Sequence, residues 1–596
     1  MKRQIIILII LFPVTILSAQ DLRHYDYLSL NRTDLTNDTL NHSSLRNLYF
    51  FTQHYKPDKP PQPFPKWYDR LYDKVFRENF VIIDKPGYRI TADPLFDAEL
   101  GRETVEKKNT WVNTRGAQVY GKIDLGEEVE EVGAKRRSRY SGIEKVYQVY
   151  QVEGVEDSIS PYAPKPLSPY VPSLEFYTSY FESQGWFPGF LDSLAAMSGG
   201  VPGQGAILRN NGIWDHGYAT GWVRYNAKKY FTFEFGTGKN FFGNGYRSML
   251  LSDNSRNYPY FRIDTKLWRF HYTNLWAEFQ DNRYRDGPLG AFQKKYGAFH
   301  YLSYSVINRL ELSFFEGIIW QGRDSLHTRG FDINYLNPFI FLRPVEWTLG
   351  SPDNALLGVN LSYELFEDTY VYGQVLLDEF SLSHMKARDG YWGNKYSGQF
   401  GAKAWIPLKA GYRISDAGYG ISDLGYRKEK SNIQHPKSDI FLFLQSEFNF
   451  ARPFTYSHWT SKQNYGHLGQ AIAHPLGANF YEWINFARFH WNHVIIEGRY
   501  SLAKYGANYD TLNYGQDIFL SYDTYVNELG NFIGQGKATT LHYTSLTCSF
   551  LLNPSSLLNV FCTLTDRRQV TGSSNDHNLW ITFGVRNSIR NLYYDY

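Results

Sequence analysis

Residues 357 to 365, LGVNLSYEL, alternate strictly between two kinds of side chain. Leu357, Val359, Leu361, Tyr363 and Leu365 are apolar or aromatic, with Gly358, Asn360, Ser362 and Glu364 between them. A period of two places one set on each face of an extended strand. In a soluble sandwich the apolar face meets a second sheet. In a membrane barrel it meets lipid, and the polar face lines the lumen.

The pattern recurs along the chain. A turn at Phe366 to Thr369 leads to Val371, Val375 and Leu377, with Tyr372 and Gln374 opposed to them. Leu310, Leu312 and Phe314 oppose Glu311 and Ser313. Phe400, Ala402, Ala404 and Ile406 oppose Gln399 and Lys403. Val494 and Ile496 oppose Glu497 and Arg499. Near the end, Leu579, Ile581, Phe583 and Val585 alternate with Trp580, Thr582, Gly584 and Arg586, and the sequence finishes Tyr593-Tyr594-Asp595-Tyr596. A closing strand followed by a terminal aromatic is the form in which outer-membrane barrels meet their insertion machinery.

Composition chooses between the two settings. The 596 residues include 48 Tyr, 42 Phe and 15 Trp, yet the mean hydropathy is negative. Aromatic girdles around a polar interior produce that combination. No segment after the first twenty residues approaches the ~18 apolar residues of a membrane helix, and the longest strongly apolar run is Ile440 to Leu444. The expectation is an all-β fold, a transmembrane antiparallel β-barrel of about 18 strands within a range of 16 to 20. The balance of 62 basic and 59 acidic residues, +3 net, points to no nucleic acid partner.

The start of the chain carries an export pattern. Lys2 and Arg3 precede the apolar stretch Ile5 to Leu17, and Ser18-Ala19-Gln20 is suited to cleavage. Residues 1–19 read as a signal peptide, which directs the protein to the cell outer membrane. Residues 20–86 read as a polar lead-in followed by a short helix. In "KWYDRLYDKVFRENFVIID" (66 to 84), Trp67, Leu71, Val75 and Phe76 have helical spacing, which predicts a short amphipathic helix on the periplasmic side. Residues 87–596 are then the barrel. Long stretches interrupt the strands at 183–216, 407–438 and 451–479, and at the charge block Glu127 to Arg139. Long loops on one side and short turns on the other are expected. Cys548 and Cys562 flank the turn Asn553-Pro554-Ser555-Ser556; a disulfide across that hairpin and two unpaired buried thiols both fit.

The motifs that would carry chemistry are thin. Gly236, Gly238, Gly243 and Gly245 have the wrong spacing for a phosphate loop, and Lys239 is followed by Asn240. No helix pattern follows them to supply an anion-binding N-terminus. His458, His467 and His474 share one loop, but their spacings match no compact zinc pattern. There is no HExxH and no GxSxG. The carboxylate pairs Asp378-Glu379 and Glu367-Asp368 stand at hairpin ends. The reading is of a non-enzyme, with no metal and no cofactor. Carbohydrate binding is better supplied, because sugars take aromatic faces flanked by hydrogen-bonding groups. The candidates are Tyr246, Arg247, Asp253, Asn254, Arg256 and Tyr258, with Trp320 and Arg323. For each one alone, a girdle or lumen-packing role is the competing reading.

The segment "FFGNGYRSMLLSDNSRNYPYF" (241 to 261) resembles that of the capsule-assembly Wzi-like outer-membrane proteins, in which a W-G-x-G turn leads to L-L-S-N-N-A-R-P. Phe242 stands for the Trp and Asp253 for the first Asn. "LELSFFEGIIWQG" (310 to 322) resembles that family's strand ending in W-G-G, with Gln321 at the first Gly. Within the same wider group the chain resembles the gliding-motility RemB proteins more closely. That likeness rests on "VPGQG" (201 to 205), "GKNFFGNGYRSMLLSDNS" (238 to 255) and "NPFIFLRPVEWTLGSPDNALLG" (337 to 358), and is extended by "YWGNKYSGQFG", "RPFTYSH" and "NYGHLGQAIAHPLGANF". The resemblance implies an 18-stranded outer-membrane barrel with a small periplasmic helical part and no catalysis. It implies surface polysaccharide and outer-membrane lipid as partners, with motility or secretion-machinery proteins beside them. A porin-like barrel passing small solutes is the alternative, and a surface glycan hydrolase the third reading. A lumen filled by residues 183 to 216 and 241 to 260 would favour polysaccharide binding over transport. The glycines of 241 to 245 are expected to let that loop turn inward at the rim.

Overall fold

The computed structural model describes residues 67–125, 172–205, 208–286, 290–323, 328–340, 353–408, 440–509, 511–553, 555–587 and 592–596. The export pattern at 1–19, the lead-in up to residue 66, the charge block Glu127 to Arg139 and most of 407–438 lie outside them.

Eighteen of the twenty strands of one continuous sheet form a closed antiparallel wall. They are β1 (Tyr88–Glu103), β2 (Lys108–Asp124), β3 (Ser173–Trp186), β4 (Ile213–Ala227), β5 (Phe231–Gly238) and β6 (Tyr258–Leu267). Then come β7 (Phe270–Asp286), β8 (Ala291–Ile307), β9 (Leu310–Gln321), β10 (Asn354–Phe366), β11 (Thr369–Glu379) and β12 (Lys395–Pro407). The circuit finishes with β13 (Ile440–Ala451), β14 (Phe480–Trp491), β15 (Val494–Ala507), β16 (Lys537–Asn553), β17 (Leu558–Thr571) and β18 (Ser574–Asn587). Each pairs with its sequence neighbour, and β1 meets β18 in register from Asp97↔Arg586 to Glu103↔Trp580. Closure leaves no free sheet edge to attract another chain. Two short strands, Val81–Lys85 and Leu208–Asn210, extend the edges at the two rims.

Burial is inverted relative to a soluble protein. On β10, Leu357, Val359, Leu361 and Leu365 are exposed, while Asn360 and Ser362 are buried. On β12, Phe400 is 57% exposed and Gln399 0%. On β18, Ile581 and Phe583 are exposed and Trp580 and Thr582 buried. The outer surface is therefore an apolar belt, and the polar face of each alternation points inward, as the period of two requires.

One end of the barrel is closed by tight turns at 228–230, 268–269, 308–309, 367–368 and 492–493. Several hold a residue at positive φ, such as Asp368 (59°) and Asn492 (51°), types that tolerate the left-handed region. The connections 187–212, 239–257, 452–479 and 508–536 leave from the other end, here the crown. The expected division of long from short connections is only partial. Residues 125 and 408 adjoin the two stretches outside the description, and both continue strand ends on the tight-turn side.

Helix α1 (Trp67–Phe76) spans the four residues whose spacing predicts it, and Val81–Lys85 beyond it is a strand, because the β-branched run Val81-Ile82-Ile83 suits a pleated surface better than a helix. The closing strand ends at Asn587, and Tyr593, Asp595 and their neighbours are not part of it: Tyr593 and Asp595 are buried inside the barrel.

Candidate functional site

The connection 239–257 falls into the lumen. Every residue from Asn240 to Arg256 is buried, so its irregular backbone must find partners there. The inward polar residues of the wall supply them. Gln374 accepts from Met249 N at 2.8 Å and donates to Phe242 O. Gln399 donates to Arg247 O at 2.9 Å and Lys403 to Asn244 O at 3.0 Å. Glu447 accepts from Tyr246 N and Arg247 N, at 2.7 and 3.1 Å. At the tip the approach is too close for side chains. A Cβ on Gly243 (φ +132°) would stand 2.0 Å from Gln374 Nε2, and one on Gly245 would stand 2.4 Å from Glu447 Oε2. The two glycines allow backbone to touch wall.

The candidate residues take up definite positions in this plug. Arg247 is 1% exposed and binds Glu482 and Asp595, each at 3.0 Å. Burial opposes its charge, but the two carboxylates more than offset this and hold its pKa above the ordinary arginine value. Tyr246 accepts from Arg499 at 3.0 Å and stacks edge-on against Phe486 and Tyr593. Asp253 accepts from Tyr593 OH at 2.5 Å, and Asn254 donates to Ala471 O at 2.9 Å. Arg256 donates to Gly199 O at 2.7 Å and to Ser198 O. Those carbonyls end helix α2 (Gly189–Met197), a position where a cation is favoured. Burial without a compensating carboxylate lowers the Arg256 pKa to about 10. Tyr258 opens β6, fully buried, its hydroxyl accepting from Asn240 N.

Trp320 and Arg323 do not join this group. Trp320 shares the outward parity of β9 with Phe314, and is covered there by Tyr335, whose ring lies 4.7 Å away. Its indole donates to Gly330 O. Arg323 is exposed beyond the crown end of β9. The wall separates Trp320 from the lumen plug.

Other segments complete the filling. Phe190, Leu191 and Ala195 of α2 pack with Trp214 and Trp580. In 452–479, Tyr456 OH and Tyr465 OH donate to Met249 O and Leu250 O, at 2.7 and 2.6 Å. His467 accepts from Gln280 N at Nδ1 (3.0 Å), leaving Nε2–H for Asn257 O (3.2 Å). His474 binds Glu482 at 2.7 Å, and His458 lies 4.0 Å from Glu379. Among the described residues no three metal-ligating side chains converge. Asp378 and Glu379 both engage the buried Lys395.

A cavity of about 290 Å³ remains between the plug and the β14–β18 sector. Its lining runs from Leu557 and Asn587 at the tight-turn rim to Phe187 and His216 beneath α2, and includes Glu497 and Arg586.

The residues that hold the plug, Gln374, Gln399, Glu447, Glu482 and Arg499, were not singled out as site candidates from sequence. Their signal was present as the polar member of each strand alternation. Asp595 had none, since nothing in the local sequence sends it inward. The exposed crown aromatics Trp459, Tyr509 and Phe532 were also not singled out.

No family model matches the chain, and no curated protein matches it. Among solved structures it is similar to Escherichia coli Wzi, described as an outer-membrane protein involved in group 1 capsule assembly and a carbohydrate-binding β-barrel. The TM-score is 0.42 at 13% identity, over 70% of this chain and 78% of that one. It is similar to Pseudomonas aeruginosa OprD at TM-score 0.38 and 10% identity, over 83% and 94% of the two chains. The vanillate complex of Pseudomonas aeruginosa OpdK gives TM-score 0.38 at 9% identity, over 83% and 97%.

Proposed function

We propose that this chain is a non-enzymatic barrel of the bacterial outer membrane that binds surface polysaccharide at its crown, in the manner of Wzi-like and RemB-like proteins. It would serve capsule attachment, gliding motility or both. The tight-turn end would face the periplasm, where motility or secretion-machinery proteins meet it. The observation that carries the reading is the filled lumen: the 239–257 connection is buried against inward wall residues on β10 to β15. A filled barrel is poorly suited to passing solutes and well suited to holding a rigid outer face. Glycan contact then falls to exposed crown groups such as Trp459, Tyr509 and Arg323. Asp253 and Arg256, pinned below, would act by fixing the crown from inside.

The second reading is porin-like passage of small solutes, favoured by the polar cavity along β14–β18. One pair of measurements separates the two. Purified protein in a planar bilayer is expected to give no stable conductance steps. Cells carrying Asp253→Ala with Arg256→Ala, or Trp459→Ala with Tyr509→Ala, are expected to shed polysaccharide while the barrel keeps its heat-dependent gel shift. Steady wild-type conductance with unchanged retention in both variants would transfer the assignment to transport.

A further inference from the structure

The wall's apolar belt does not stop at β1. Outward residues of β1 are the even-numbered ones, with Phe96 and Leu100 exposed. Residues opposed across an antiparallel pair share a face. Val81 is opposed to Ala92, and Ile83 to Ile90. Val81 and Ile83 are therefore outward, and they are exposed at 43% and 41%. The belt continues through them to Phe80, also exposed, and so to the residues that follow helix α1.

Helix α1 is fastened to the wall by backbone and polar groups. Asn553 Nδ2 donates to the carbonyls of Lys74 and Glu78, and Ser555 Oγ donates to that of Arg77. Asn79 donates to Asp93 at 2.7 Å. These contacts tie the helix end to the β16–β17 turn and leave its apolar face unused. Leu71, Tyr72 and Phe76 all remain exposed, and at 100° per residue they lie within one sector of the helix. The polar sector is self-neutralised: Arg77 pairs with Asp73 at 2.9 Å and Lys74 with Glu78 at 3.5 Å. Directly beyond the β16–β17 turn, Phe550 and Val560 are exposed on the outer wall.

We propose that α1 is an interfacial helix, lying in the lipid leaflet at the tight-turn end with Leu71, Tyr72 and Phe76 in the acyl boundary. Three features carry this. The apolar face is continuous with the lipid-facing belt through Phe80, Val81 and Ile83. The charges of the polar face cancel within the helix, so a leaflet of either charge accepts it. Tyr72 presents its ring to lipid with its hydroxyl at headgroup depth, and the guanidinium of Arg77 lies 4.9 Å from that ring. The helix then adds a collar at the point where the wall closes.

The test uses the full chain with Cys548→Ser and Cys562→Ser, refolded in vesicles of phosphatidylethanolamine and phosphatidylglycerol. Single cysteines at Leu71→Cys, Phe76→Cys and Asp73→Cys carry an environment-sensitive fluorophore, and the heat-dependent gel shift first verifies each barrel. Lipids brominated high on the acyl chain are expected to quench positions 71 and 76 at least about twofold more than position 73. Equal quenching at all three positions, or ready quenching of 71 and 76 by aqueous iodide, would overturn the proposal. Shielding of 71 and 76 from both iodide and bromolipid would also overturn it, by assigning the face to residues before Trp67 or to a protein partner. In each case the gel shift keeps the barrel itself separate from the fate of the helix.

Discussion

Arg247 and Asp595 stand 348 positions apart and form an ion pair at 3.0 Å, with side chains 1% and 0% exposed. Asp595 also binds Arg499 of β15 at 3.2 Å. The tail of the sequence thus crosses the lumen to hold the tip of the 239–257 connection. Removing one member of a buried pair strands its partner's charge, at a cost of about 3–5 kcal/mol. Arg247→Met is expected to lower the opening free energy of residues 239–257 by that order, read by hydrogen exchange. Arg247→Met with Asp595→Asn should cost less than the sum of the single changes, since the groups share one network. Additive costs would show that the pair does not couple.

Gly243 and Gly245 admit backbone where a side chain would collide with Gln374 and Glu447. Gly245→Val is expected to push the tip off the wall, with an overpacking cost of about 1–3 kcal/mol. Planar bilayers containing the variant should then show conductance steps that the parent lacks. A silent variant with a normal gel shift would mean that the lumen stays shut without this contact.

His467 is a neutral acceptor at Nδ1 and a donor at Nε2. Burial lowers its pKa to about 3, below the ordinary histidine value of about 6.5. A depressed folded-state pKa means that the unfolded segment binds the proton first. The stability it contributes is full above about pH 6.5 and declines as pH falls toward 3, by a few kcal/mol in all. The opening free energy across 464–473, read by hydrogen exchange after correction for the intrinsic pH dependence of amide exchange, should therefore fall between pH 6 and pH 4. His467→Gln, which keeps a donor and an acceptor without titrating there, should flatten that profile. An unchanged profile in the variant would assign the pH response elsewhere.

Cys548 and Cys562 are opposed in register on β16 and β17, free and exposed. Leu546 and Phe550, which share the parity of Cys548, are exposed beside it, so both thiols belong to the apolar belt. A charged reagent does not partition into the lipid that would cover this face. In vesicles neither cysteine is expected to react with a charged maleimide within the time that labels heat-denatured protein. Rapid labelling of the folded form would place this stretch of wall in water.

Much of the fold was legible because alternation is local. The apolar and polar sets of 357–365 and 399–406 occupy the faces their period assigns them, since each side chain's direction depends only on its own strand. The inward turn of 241–245 was legible from its glycines. The candidates proved harder to group. Tyr246 and Trp320 are both aromatic residues beside glycine-containing segments, yet one lies in the lumen and the other on the outer wall beneath Tyr335. Nothing local distinguishes them, because the face is set by the parity of the strand and by which loop folds over it.

The sequence by itself determined the all-β architecture, its inverted surface and an inward loop rich in glycine. These follow from side-chain direction and backbone freedom, which neighbouring residues decide. Only the tertiary structure decided that Asp253 and Arg256 are pinned within the plug and that Asp595 clamps Arg247. It also joined α1 to the lipid-facing row through Val81 and Ile83. The first two relationships need β1 to close on β18, because closure brings residues hundreds of positions apart into one enclosed space where each buried charge must find its partner.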